Sequence, residues 1–491
     1  MSRELLGSKT GRLSLVQVVG YSVALLAPTA GLALNTSLTA ETAGRAVPFV
    51  MLGSIIGVLF MAVPFIKFTR RFVHAGSIYA YNSKVLGAPT GFLSAWVLLL
   101  AYLGFAFGGI ALVANFGQAL ALLGGWHIPW GIVGLVGLGL ALILVIRDVR
   151  LSTNLVLVLE GLSVTFIVII SFVIVAQGGA THHLTWLPFQ PNVPFSAVGL
   201  GMIFGFLSFF GFDVAATIGE ESKNPYRNVP LAIIITLVVA GILYVFVAYA
   251  QTVGYGTSAG AIAQFAKSST PMATLAQRYM GTTMAAALDV GATLSGFGAL
   301  MASTQAASRI FFALSRDGLF MPRLAKVHPQ FRTPYLTATT ISVMGAILIV
   351  IPSGWQPASA MFGYAGTVGV LAFLISYGIT SIADFVSEIR RTHDTGTMSN
   401  RRVRILGFGF IDLLALILIV FTLYANIYPI PAFPGWAFPY LVLAWVLWGV
   451  VLLYRRPDAK KQILDALSEH DGQVPELPRE GDADAISLPK L

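Results

Sequence analysis

VGLGMIFGFLSFFGFDVAATIGEESKNPYRNVP, residues 198–230, starts as an apolar run of the kind that crosses a bilayer and then departs from it. Gly201, Gly205 and Gly211 interrupt the run, and the carboxylate of Asp213 follows directly after. A glycine inside a helix costs about 1 kcal/mol relative to alanine, and a charge at the bilayer centre about 2.5–3.5 kcal/mol on insertion scales. A helix facing lipid does not normally combine the two. Both defects are explained by a helix that opens near Ser208 to Phe212 inside the protein, leaving backbone groups to hold a ligand.

The rest of the chain has the composition such a helix needs around it. Of 491 residues, 56% are hydrophobic and only 10% charged, which excludes an ordinary soluble domain. Cysteine is absent and the seven histidines are scattered, so disulfides, thiol catalysis and a histidine or cysteine metal site are not expected, nor is any cofactor. A hydrocarbon core about 30 Å thick needs about 20 apolar helical residues. That yardstick predicts an all-α polytopic membrane protein with twelve transmembrane helices, near residues 13–40, 46–66, two within 85–146, 152–177, a broken one from 197 through Asp213 toward Gly219, 229–253, 280–315, 335–351, 358–382, 405–427 and 436–454. The pair within 85–146 is divided by the Gly124-Gly125-Trp126-His127-Ile128-Pro129 turn.

Charge sets the expected orientation. With the N-terminus inside, only Arg45, Lys267 and Arg278 fall on the outer side and every other lysine and arginine on the inner side. That is the positive-inside pattern, and it accounts for the +9 net charge through topology and anionic headgroups, without nucleic acid. Residues 1–12 read as a cytoplasmic lead and 455–491 as a cytoplasmic tail, a short helix followed by disorder. The expected location is the plasma membrane.

A second defect lies five helices earlier, at Ala27-Pro28-Thr29-Ala30-Gly31, where Pro28 removes a backbone donor. Alone it reads as a kink. Paired with Gly211, it divides the chain into a first five-helix unit, residues 13–177, and a second, 197–382, with 405–454 left over. Five helices carry the chain across the membrane, so the second unit runs inverted. Interrupted helices at matching places of two inverted halves point to a transporter's binding site at the midplane.

Three stretches then resemble the amino acid, polyamine and organocation (APC) transporter superfamily: Ala75-Gly-Ser-Ile-Tyr-Ala-Tyr81 with Gly87 and Gly91-Phe92; Phe209-Phe-Gly-Phe-Asp213 with Glu220-Glu-Ser-Lys-Asn-Pro225 and Val229-Pro230; and Ala307-Ser-Arg-Ile-Phe-Phe-Ala-Leu-Ser-Arg-Asp-Gly318 with Pro322, His328-Pro329 and Thr333-Pro334. The resemblance implies the LeuT-type inverted five-helix repeat with two extra helices, and amino acid permease activity. Where the family commonly has Gly-Ser-Gly or Gly-Thr-Gly, this chain carries Thr29-Ala30-Gly31, whose freed amides would meet a substrate carboxylate.

Four carboxylates fall inside the predicted helices: Glu160, Asp213, Asp289 and Asp412. Glu160 lies about 12 Å into the fifth helix, and the resemblance puts it where several proton-coupled relatives carry a lysine. It is the candidate proton-coupling residue, able to bind and lose a proton; the alternative is a permanently protonated side chain bonded to a neighbouring helix. Asp213 either attracts a substrate amine or caps freed amides. Asp289 and Asp412 read as helix-end or interhelical partners, and Glu220, Glu221, Lys223 and Arg227 as either a gate network or a solvated face. Phe206, Phe209 and Phe210 flank the second break as candidates for a lid. Tyr102 is a further pocket candidate and Ser295 a weaker one for an ion region.

The expected function is secondary active transport by alternating access, importing an amino acid or related amine with a proton. An exchanger, a sodium-coupled carrier and a substrate-sensing receptor on the same fold stand as alternatives. A primary pump is disfavoured by the lack of a Walker pattern, and an enzyme by the scatter of the four carboxylates.

Overall fold

The yardstick of apolar length locates helices in the bilayer, and the computed structural model adds what lies between and beyond them. It describes residues 14–70, 78–147, 151–217, 222–316, 318–331, 333–394 and 398–455. The predicted lead 1–12, nearly all of the tail, residues 75–77 of the first motif, Asp317, and Glu220 and Glu221 lie outside the described residues.

In chain order the helices are α1 (Leu15–Leu26), α2 (Pro28–Ala43), α3 (Val47–Thr69), α4 (Ile78–Leu86), α5 (Ala88–Leu123), α6 (Trp130–Arg147), α7 (Leu151–Ala176), α8 (Phe195–Ser208), α9 (Val214–Thr217), α10 (Pro225–Tyr255), α11 (Ala259–Lys267), α12 (Pro271–Met280), α13 (Thr282–Arg316), α14 (Tyr335–Val350), α15 (Ala358–Asp394), α16 (Met398–Ala425) and α17 (Ala437–Tyr454). Nine helical stretches among the described residues are long and apolar enough to cross a membrane, and α8 and the Gly409–Ala425 part of α16 are shorter apolar helices. Three helices were not expected. They are α4, between α3 and α5, and the pair α11 and α12, in the stretch read as a loop before α13. Composition explains the omission, since all three are short and carry too little apolar length to register as spans. For the same reason α15 runs twelve residues past the predicted limit at Ile382 and brings Asp384 and Glu388 into a helix. An apolar run marks membrane depth, while the backbone bonds of a helix continue into the polar region.

Helix α5 is the central element, packed along both α13 and α15. Its glycines make that approach possible. A Cβ added at Gly104 would stand 2.8 Å from the Ala365 carbonyl oxygen and 2.8 Å from the Gly369 Cα, and one at Gly109 would stand 2.8 Å from the Leu300 Cα. These are backbone atoms that no rotamer change can move aside, the small-residue packing typical of membrane helices. Gly104→Val is therefore expected to separate α5 from α15 and destabilise the protein by about 1–3 kcal/mol or more. Gly139→Ala on α6, with nothing among the described residues within 4 Å of the added carbon, is the control and is expected to be neutral or to stabilise by up to about 1 kcal/mol. Thermal unfolding in detergent checks both, and equal behaviour of the two variants would contradict the close-approach argument.

Candidate functional site

Both predicted breaks are present, and each has a local cause. Pro28 has no N–H, and Ala27 before it takes a left-handed conformation, φ 44° and ψ 57°, ending α1 and starting α2. That conformation costs a non-glycine residue about 1–2 kcal/mol and is held by the packing around it. The second break follows Ser208, where residues 209–213 form a turn that includes Gly211 at φ 97°. Only glycine adopts that angle freely.

At the first break, Glu160 reaches across from α7. Its Oε1 accepts the Thr29 backbone N–H at 2.8 Å, the Ser295 hydroxyl on α13 accepts the Ala30 N–H at 3.2 Å, and the Gly31 N–H returns to the Ala27 carbonyl at 2.9 Å. Glu160 is 3% exposed and Ser295 2%. The three amides expected to be open to a substrate thus all have protein acceptors, and the first of them is held by a carboxyl group at the positive end of α2. Further along α2, Gln251 of α10 donates from Nε2 to the Leu32 carbonyl at 2.9 Å, and its Oε1 accepts the Thr36 hydroxyl.

The residues of the second break divide by direction. Phe210 stacks on Phe105 with centroids 3.3 Å apart and meets Tyr102 edge-on at 5.1 Å. Phe206 packs against Gly57 of α3, and Phe209 against Tyr244 of α10 at 4.9 Å. Of the three phenylalanines from which one lid was expected, one faces the space between the breaks and two are packed against other helices. Phe206 lies on α8 while Phe209 and Phe210 lie in the turn that follows it, so the three side chains leave the backbone in different directions. Asp213 is 1% exposed and precedes α9, with the Tyr102 hydroxyl 3.5 Å from its Oδ2. Phe212 beside it is edge-on to Tyr377 at 5.4 Å.

Between the breaks lies a cavity of about 50 Å³, lined among others by Gly31, Asn35, Phe105, Phe210, Ser303 and Phe362. Binding sites for small ligands usually run to about 300–1,000 Å³, so substrate entry requires the walls to part. Gly31 and Phe210 line it, while Thr29, Ala30, Tyr102, Phe206, Phe209, Gly211, Asp213 and Glu160 do not. A larger hollow of about 470 Å³ sits at Asn426, Trp436 and Tyr440, touching neither break. Asn35 was absent from the predicted site although it is a polar side chain inside an apolar run, the same signal that singled out the carboxylates.

The remaining acidic residues lie elsewhere. Asp289 is buried on α13. Asp412 of α16 stands 3.7 Å from the Lys67 ammonium of α3, which also pairs with Asp384 of α15; both carboxylates are fully buried. Asp412 is thus an interhelical partner, and Asp384 is a buried carboxylate outside the four expected. Lys223 and Arg227 are exposed.

Comparison with known proteins gives the geometry its context. The amino acid permease family profile matches residues 13–451. The branched-chain amino acid permease BcaP of Bacillus subtilis (strain 168) is 28% identical over 70% of this chain and 77% of its own length. The low-affinity putrescine importer PlaP of Escherichia coli (strain K12) is 27% identical over 72% and 78%. Among solved structures, a manganese transporter of Eremococcus coleocola superposes with a TM-score of 0.51 over 91% of this chain and 95% of its own, at 13% identity. That last likeness concerns the fold alone.

Proposed function

This chain belongs to the amino acid permease family, a family of transporters, and on that premise we propose that it moves an amino acid or related amine by alternating access with a proton carried on Glu160. The observation behind this reading is the Glu160 carboxyl seated on the Thr29 amide at the first break. Ionised, it holds that amide with a charge-assisted bond, about twice the strength of a neutral one. Protonated, it holds the amide less firmly, and a substrate carboxylate can take its place.

Proton and substrate then favour one another. The coupling free energy is reciprocal, so if a proton on Glu160 tightens substrate binding, bound substrate tightens the proton. Binding that draws α2 and the residues 209–213 together would close the site, and separating Phe210 from Phe105 would open it. The halves proposed to rock against one another are residues 13–177 and 197–382. The proposed orientation has the ends of the chain in the cytoplasm of a plasma-membrane protein, supported by the lysines and arginines gathered on one side of the predicted topology.

The test is uptake into proteoliposomes of an amino acid and amine panel, with pH and sodium gradients imposed separately. Concentrative, saturable uptake driven by the pH gradient is expected. Uptake driven by sodium and indifferent to pH would remove Glu160 from the mechanism, and binding without counterflow would make the protein a sensor.

A further inference from the structure

We propose that the Asn35 side-chain oxygen receives an N–H of the substrate's ammonium group, and that the cavity it lines selects neutral amino acids with apolar side chains over basic amino acids and polyamines. The inference rests on the carrier reading above and specifies its substrate class. Asn35 is 1% exposed. Its Nδ2 donates to the Ser208 hydroxyl at 2.7 Å, and that hydroxyl donates onward to the Phe204 carbonyl at 3.0 Å, which fixes the orientation of the amide. Among the described residues the Asn35 Oδ1 has no hydrogen-bond partner. A buried acceptor left unmade costs about 1–3 kcal/mol. Here it belongs to a residue that lines the cavity between the two breaks, and its own donor is tied to the last residue of α8. A ligand N–H would satisfy it and bring the two broken helices to one substrate.

The spacing suits an α-amino acid. Asn35 lies six residues beyond Thr29, about 9 Å along α2, and side chains on a helix lean toward its N-terminus. That lean shortens the rise toward the reach of a carboxylate and ammonium on one carbon with a hydrogen bond at each end, about 8–9 Å. The side-chain preference follows from the lining. None of the described residues that line the cavity is ionisable; apart from Asn35 and Ser303 they are glycine, alanine, leucine and phenylalanine. Asp213, the expected attractor of a second amine, does not line it and faces Tyr102. A second cation on the substrate would lose its water and gain no counter-charge, a heavy cost in an apolar site.

Two readouts in proteoliposomes test the proposal. In the unaltered protein, leucine, valine and alanine are expected to compete for uptake, with lysine and putrescine at least about tenfold weaker. Equal competition by lysine or putrescine would overturn the inference and leave the carrier reading intact, whereas absence of saturable uptake and counterflow for every compound would overturn both. For the residue itself, the ratio of apparent affinities for leucine and its des-amino analogue 4-methylpentanoate is measured in the unaltered protein, Asn35→Leu and Asn35→Asp. A ratio is independent of how much protein folds. Asn35→Leu is expected to lower it about tenfold or more, the worth of one hydrogen bond to a charged group. Asn35→Asp keeps an acceptor and is expected to retain the ratio while admitting lysine. An unchanged ratio in Asn35→Leu, or, should that variant not fold, exclusion of lysine by Asn35→Asp, would overturn the assignment.

Discussion

Glu160→Gln is expected to exchange substrate across the membrane and yet fail to concentrate it along a pH gradient. The substitution isolates the proton from the structure around it. Glutamine offers the same carbonyl-type oxygen to the Thr29 N–H, 2.8 Å away in the unaltered protein, so the end of α2 stays satisfied. What it cannot do is bind and release a proton. One pH unit is worth about 1.4 kcal/mol, a factor of about ten. A carrier that moves one proton per substrate therefore accumulates up to about tenfold per unit of gradient, and the variant is expected to settle at equal concentrations inside and out. Substrate counterflow, which needs no driving ion, is expected to persist. Glu160→Ala separates the roles further, because it leaves the buried Thr29 amide without its acceptor at a cost of about 1–3 kcal/mol. Retained pH-driven accumulation in Glu160→Gln would place the coupling proton elsewhere.

Lys67→Met is expected to be the most destabilising single substitution in the charged part of the bundle. The Lys67 ammonium lies between Asp384 and Asp412, carried by α15 and α16, and neither carboxylate has exposed side-chain surface. Removing the cation leaves two buried carboxylates facing each other across the junction of three helices. Breaking one side of a buried pair costs about 3–5 kcal/mol, because the remaining charge is uncompensated. Thermal unfolding in detergent is the measurement, with a large drop expected for Lys67→Met. Adding Asp384→Asn to Lys67→Met removes one of the stranded charges and is expected to recover much of the loss. A Lys67→Met protein as stable as the unaltered one would show that the cluster is solvated and contributes little.

The two breaks were legible in sequence because their causes are chemical and local. Pro28 cannot donate, and Gly211 can take a conformation closed to other residues. The carboxyl of Glu160 stood out for a related reason, since a charge in an apolar run needs an explanation. Partners and directions were less legible. That Glu160 meets the Thr29 amide depends on a contact between residues 131 positions apart, which no local pattern encodes. The three phenylalanines near Gly211 share composition but differ in direction, and only Phe210 lines the cavity. Asn35 and Gln251 carried a readable signal, a polar side chain within an apolar run, which attention to charge alone passed over. Asp384 was missed because the apolar count ended the predicted helix at Ile382, short of where α15 ends.

The most direct measurement of the central claim needs no imposed gradient. Unaltered protein is reconstituted in vesicles holding a pH-sensitive dye at equal pH inside and out, and a transported neutral amino acid is then added outside. Inward movement of substrate with its proton predicts acidification of the interior that saturates with substrate and is missing in Glu160→Gln vesicles that still perform counterflow. Substrate uptake by the unaltered protein with no change of internal pH, or acidification that survives in Glu160→Gln, would contradict the account.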